Sequence, residues 1–141
     1  MSAVSEFLTQ TNLKNSLSDG GFSGITSRVE VNANSVGQFA VLYMGASGYE
    51  PANATTDAKT PGNVIALEAG TGSEIHVLKS GFVRNSSWSF TKGGAVYLST
   101  SDGGLTQTKP SATDNAVQYL GEAYDTDILD FNPDSTVVTI A

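Results

Sequence analysis

His76 is the only histidine in the chain, so it is the only imidazole that could serve as a general base. It lies in Glu74-Ile-His-Val-Leu78, where strand alternation puts Ile75 and Val77 on one side and Glu74, His76 and Leu78 on the other. A Ser-His-Asp triad would need this base beside an exposed nucleophile, and the chain has no G-x-S-x-G elbow. Carboxylates are dense near the C-terminus: Glu122, Asp125, Asp127, Asp130 and Asp134. Such oxygen ligands suit calcium, but the EF-hand spacing fails. Counted from Asp125, the sixth position is Asp130 rather than Gly, and the twelfth is Thr136 rather than Glu. Glycoside cleavage by paired carboxylates would need a cleft with sugar-stacking aromatics, and the lone Trp88 and five tyrosines form no evident platform. Gly70-x-Gly72 and Gly93-Gly94 lack the Lys-Ser/Thr partner of a phosphate-binding loop. The plain reading is a strand histidine, Asx-capped turns around Asp125 and Asp134, and turn glycines. No catalytic residue, metal or cofactor is expected, and the chain reads as something other than an enzyme.

The elements that carry these residues are short strands. The chain has 141 residues, enough for one domain with a real core. Charged residues make up 15% and Gly is abundant at 15, a balance that suits strands and turns better than a helical bundle. Val29, Val31 and Ala33 alternate with polar residues, and Phe39–Met44 is a short apolar run closed by Gly45-Ala-Ser-Gly48. Residues 50–62 read as a long polar loop. Strand signals follow at Val64–Leu67, Glu74–Leu78, Ala95–Ser99, Thr106–Thr108, Ile128–Phe131 and Thr136–Ile140, with Val117, Tyr119 and Ala123 on alternating positions. Trp88 and Phe90 read as one strand face. With Tyr97 and Tyr119 they are the large anchors expected to pack the core or a subunit interface.

The pattern repeats. Ala40-Val41 and Ala95-Val96 stand 55 apart (95 − 40), as do Gly48 and Gly103 (103 − 48). Each strand-turn pair is followed by a polar loop with a proline, Pro61 or Pro110, and then by a strand ending in Glu-Ala. The spacing predicts two similar β-units, 36–83 and 91–138, and a closed barrel or sandwich to cover their edges. The expected fold is therefore all-β: a compact antiparallel β-barrel or sandwich spanning residues 25–141. Residues 1–24 form an N-terminal arm or short helix, with apolar side chains at Val4, Phe7, Leu8, Leu13 and Leu17 ahead of the Asp19-Gly20-Gly21 break.

The net charge of −7 and the scatter of seven basic residues argue against nucleic-acid binding, which needs clustered Lys and Arg, and against an acidic membrane surface. No run of eighteen apolar residues is present, and the first residues lack the basic and apolar regions of a secretory signal, so maturation in a cytoplasm is expected. The absence of cysteine excludes disulfide and zinc-thiolate chemistry.

At Gly81-Phe-Val-Arg84, Trp88, Gly93–Ser99, Gly103-Gly-Leu-Thr106, Pro110-Ser111, Val117-Gln-Tyr-Leu-Gly-Glu-Ala123 and Ile128-x-x-Phe131-x-Pro133, the chain resembles a β-module of tailed-bacteriophage virions. The module is found in capsid decoration (cement) proteins and in head-fibre and tail-fibre proteins. The likeness covers about residues 80–141, more loosely 30–80, and none of the first 24. It implies a structural virion protein made in the host cytoplasm and placed on the outer capsid surface. There a homo-oligomer, by the resemblance a trimer, would cement neighbouring major capsid protein subunits, with the arm (Val4, Phe7, Leu8, Leu13, Leu17) as the capsid-binding element. The chain departs from fibres in having no collagen-like or coiled-coil stalk. Two other readings are a head-fibre or tail-fibre domain that binds a host receptor or glycan, and a small hydrolase built on His76 or an acidic pair.

Overall fold

The computed structural model describes residues 17–32, 36–70 and 72–141. Val4, Phe7, Leu8, Leu13 and Ala33 lie outside the described residues. The fold is all-β. The strands are β1 (Phe22–Glu30), β2 (Val41–Gly45), β3 (Gly48–Pro51), β4 (Val64–Ala66), β5 (Glu74–Arg84), β6 (Ala95–Leu98), β7 (Leu105–Thr106), β8 (Ala116–Val117), β9 (Tyr119–Asp125), β10 (Ile128–Phe131) and β11 (Val138–Thr139), with one 3-10 turn at Asp57–Lys59. Nine strands form one curled antiparallel sheet in the order β3-β2-β4-β5-β10-β9-β6-β7, and β1 lies on the other edge of β5. β11 and β8 form a separate two-stranded ribbon.

This strand order is the same list read twice from opposite ends: β3-β2-β4-β5 meets β10-β9-β6-β7. The registers repeat as well. Leu42↔Pro51, Tyr43↔Glu50 and Leu42↔Val64 in the first half become Tyr97↔Thr106, Leu98↔Leu105 and Tyr97↔Tyr119 in the second, each residue shifted by 55 (97 − 42). The two similar β-units join where β5 and β10 pair antiparallel, from Ile128↔Arg84 to Phe131↔Gly81. Two apolar clusters follow from strand alternation. One holds Val41, Ile65, Leu78, Val83, Val96, Leu98, Leu120, Leu129 and Phe131 from both halves. The other holds Val31, Leu42, Val64, Ala66, Ile75 and Val77 from the first half alone.

β5 serves both clusters by alternation, with Ile75 and Val77 on one and Leu78 on the other, and Lys79 then bulges out between Ile25↔Ser80 and Thr26↔Leu78. The extra residue resets the alternation, so Leu78 and Val83 face the same cluster although an odd number of positions separates them. Beside the bulge, Gly24 and Gly81 bring the β1 and β5 backbones together. Gly81 has φ +129, and a Cβ on either glycine would strike the opposite main chain. The ribbon bends sharply here. Phe22 is six residues from Arg28, the register partner of His76, which is about 20 Å along a flat strand. Yet the Phe22 and His76 rings sit 5.3 Å apart.

Several boundaries differ from the sequence reading. β1 starts at Phe22, within the segment read as an arm. Phe39 precedes β2 with φ 72, outside strand geometry. The polar loop begins after Pro51, because Glu50 and Pro51 pair with Tyr43 and Leu42. Trp88 and Phe90 share no strand face. β5 ends at Arg84 and β6 begins at Ala95, and the stretch between them is irregular, with Trp88 N–H donating to Asn85 O (3.0 Å) and Phe90 N–H to Thr126 O (2.8 Å). Tyr119 and Ala123 do not lie on a common face, since Leu120, between them, is skipped in the ladder of β6 and β9.

Loop 57–63 is fastened to the second unit by one buried amide. Gln118 is 1% exposed. Its Oε1 accepts from Gly62 N–H (2.8 Å), and its Nε2 donates to Gly62 O (2.8 Å) and Asp134 O (2.7 Å). Gln118→Leu keeps much of the volume but leaves these main-chain groups without partners, at about 1–3 kcal/mol for each group left buried and unsatisfied. Urea unfolding of the variant is expected to show a lower midpoint with an unchanged slope.

Candidate interaction surface

The outward face across β5, β10, β9 and β6 gathers a set of aromatic and charged side chains. Phe82, Asp130, Glu122 and Ala95 are register partners across β5, β10, β9 and β6, so they stand in one row on one face. Tyr124, the residue skipped between Ile128 and Leu129, turns outward, and its ring meets Phe82 edge-on at 5.2 Å. Tyr97 and Tyr119 are a second cross-strand pair, 6.3 Å apart, with Lys109 Nζ 5.9 Å from the Tyr97 ring. Tyr119 is 38% exposed and Tyr124 41%. This face thus displays three tyrosines and a phenylalanine around two carboxylates.

Those carboxylates face each other with like charge, an arrangement that disfavours ionisation of both. Burial raises the Asp130 carboxyl above its ordinary value, and Glu122 raises it further. Burial likewise raises the Tyr119 phenol, helped by Glu122, Asp130 and Tyr97. Among the described residues neither Glu122 nor Asp130 has an ion-pair partner.

The other residues singled out from the sequence lie elsewhere. Trp88 and Phe90 are half-buried against the larger cluster, in a string Phe39–Trp88–Phe90 with ring separations of 5.5 and 5.1 Å. Leu17 is 8% exposed, and its carbonyl accepts from Arg84 Nη1 (2.6 Å), so it packs on its own chain. The His76 imidazole rests on Phe22, while its main-chain N–H donates to Glu68 Oε1 (3.0 Å). The C-terminal acids are dispersed. Asp125 Oδ1 accepts from Thr126 N–H (2.8 Å), Asp127 pairs with Arg84 (3.0 Å), and Asp134 caps Thr136 N–H (2.9 Å). Among the described residues no three His, Asp or Glu side chains converge on a metal site. The grooves described are open, and the largest, about 600 Å³, runs between the end of β1 and the β2–β3 hairpin. The sequence reading did not find the Phe82–Asp130–Glu122 row, because only the strand registers bring those residues side by side.

Asp130→Asn is expected to stabilise the isolated chain at neutral pH. A raised carboxyl in the folded state binds its proton more tightly than the unfolded chain does, so ionisation costs stability as pH rises through the folded value. Melting curves should show the variant ahead by up to a few degrees at pH 7, and the difference should vanish as pH falls below about 3.8, the ordinary value. An equal gain at both pH values would place the effect outside titration.

No protein-family model matches the chain, and neither a curated protein nor a solved structure matches it significantly.

Proposed function

We propose that the chain is a structural virion protein that binds the outer capsid surface as a homo-oligomer, a trimer, and cements neighbouring major capsid protein subunits. The observation that carries the reading is the outward row of aromatics and opposed carboxylates. It costs the isolated chain stability, and a partner surface bearing Lys or Arg would relieve it. Exposed tyrosines are good interface anchors, because each covers a large area with few rotatable bonds. Three copies about an axis would present three such faces, so modest contacts combine through effective concentration. The resemblance of residues 80–141 to virion β-modules points the same way. The arm contact rests on the sequence alone.

A fibre domain that binds a host receptor or glycan is the second reading, favoured by the Tyr97–Tyr119 pair beside Glu122, where rings and a carboxylate could meet a sugar. Purified shells that lack the protein separate the two. The protein is expected to have a native mass of about three chains and to sediment with the shells, and Tyr119→Ala combined with Glu122→Lys should weaken that binding at least about tenfold. Wild-type protein that stays in the supernatant while adsorbing to host cells would replace the cement reading with the fibre reading.

A further inference from the structure

Among the described residues β1 is paired along its length on one edge only. β5 covers that edge from Phe22↔Val83 to Glu30↔Glu74. On the other edge the described residues reach β1 only at its end, through the parallel bridge Val31↔Tyr49 and the bond from Asn32 N–H to Tyr49 O (2.8 Å). Every second residue of an edge strand turns its N–H and C=O away from its partner, a ready template for another strand. The guards on this strand are few, its only charged residues being Arg28 and Glu30 near its end. The strand FSGITSRVE has no Pro and no Lys, and the bulge that could twist the edge away sits in β5 instead. Ile25 is 64% exposed.

The open edge runs into the groove of about 600 Å³, walled by Arg28, Glu30 and Glu74, with Val29, Tyr49 and the 59%-exposed Met44 as its apolar lining. The charges in this groove are unbalanced. Glu30 and Glu74 are register partners, a second like-charge cross-strand pair. Arg28 is already shared between Glu68 (3.6 Å) and Glu74 (3.9 Å), and Glu30 makes no ion pair among the described residues.

From these features we infer that the free edge of β1 receives an extended segment of a shell subunit. The segment adds as a strand, seats an apolar side chain against Val29 and Met44, and sets a Lys or Arg beside Glu30 and Glu74. Main-chain bonds supply affinity in this mode, and alternate side chains supply selectivity. The shell as source rests on the proposed function, whereas the chemistry of the slot does not.

The test uses the full-length chain and a defined probe, an alternating Val-Lys nonapeptide, with its Val-Glu counterpart as control. Amide NMR titration is expected to show saturable shifts confined to residues 22–30 and 44–49, with the Lys peptide bound at least about tenfold more tightly, since each 1.4 kcal/mol of preference is tenfold. Glu30→Lys should remove that preference, while the melting temperature falls no lower than that of the wild type, because Glu30 is exposed and the Lys would face Glu74. Absence of saturable shifts in β1, equal binding of both peptides, or amides 22–28 that already exchange as slowly as those of β10 in the free protein would overturn the inference. The last result would mean that this chain or a second copy covers the edge. In a second arm, shell-bound protein should gain exchange protection at residues 22–28. Binding to shells without that protection overturns the inference and leaves the cement reading standing. Peptide binding by a protein that ignores shells keeps the slot and removes the shell as its occupant.

Discussion

The antiparallel pairing of β5 with its neighbours is the constraint on which the rest of the structure depends. β5 has eleven residues, and three strands share it: β1 along one edge, and β4 and then β10 along the other. A straight strand could not do this, because β4 and β10 belong to different halves of a curled sheet. The Lys79 bulge and the close approach at Gly24 and Gly81 supply the bend. A residue with a side chain at position 81 would meet the main chain of Ser23 and would also have to hold φ near +129, which only glycine does at little cost. The larger cluster forms in the concavity of that bend, and its members come from both halves. Curvature and core are therefore one event.

The pseudo-twofold arrangement limits how each half can be stabilised alone. A four-stranded unit leaves its β5 or β10 edge open, and pairing the two edges removes both liabilities at once. The symmetry breaks where the halves carry different duties. Gln118 stands 55 positions after Asn63 (118 − 63), and its amide reaches Gly62 and Asp134. Asn63 is one methylene shorter, and its buried Oδ1 has no partner among the described residues. The longer amide fastens the loop and the shorter one does not. The second break is β1, which lies on the far edge of β5 and has no counterpart in the second unit.

Much of this architecture was legible in the chain. The Gly-rich turns and apolar runs located most strands, and Ile128–Phe131 matches β10 in full. The 55-residue spacing of Ala-Val and Gly positions anticipated registers that recur with the same shift. What the sequence hid has one physical cause. Periodicity of two assumes that every residue is paired, and a bulge breaks that assumption without leaving a mark on composition. Lys79, Leu120 and Tyr124 each reset a face, so Leu120 and Gly121 are buried side by side and Tyr119 points away from Ala123. Trp88 and Phe90 misled for a related reason. Alternation of large aromatics looks like a strand, but here turns fold them back onto the rim of the core. The outward row of Phe82, Asp130 and Glu122 draws on three strands and could not be read before the registers were known.

Two like-charge pairs, Glu30 with Glu74 and Glu122 with Asp130, stand opposite one another across strands. With only seven Lys and Arg residues for fourteen carboxylates, at least half of the acids lack a cation of their own. A sheet that had only to be stable could place Thr or Lys at these positions, since cross-strand pairs of opposite sign or hydroxyl pairs are favourable. The like pairs are not scattered. One lies at the groove beside a sparsely guarded strand edge, and the other lies among exposed tyrosines and a phenylalanine. The exposed pair of Glu30 and Glu74 costs little in water, the half-buried Asp130 costs more, and the repulsion in either pair grows when a neighbouring surface excludes solvent unless that surface brings a cation. The arrangement therefore disfavours a covering surface that brings no cation.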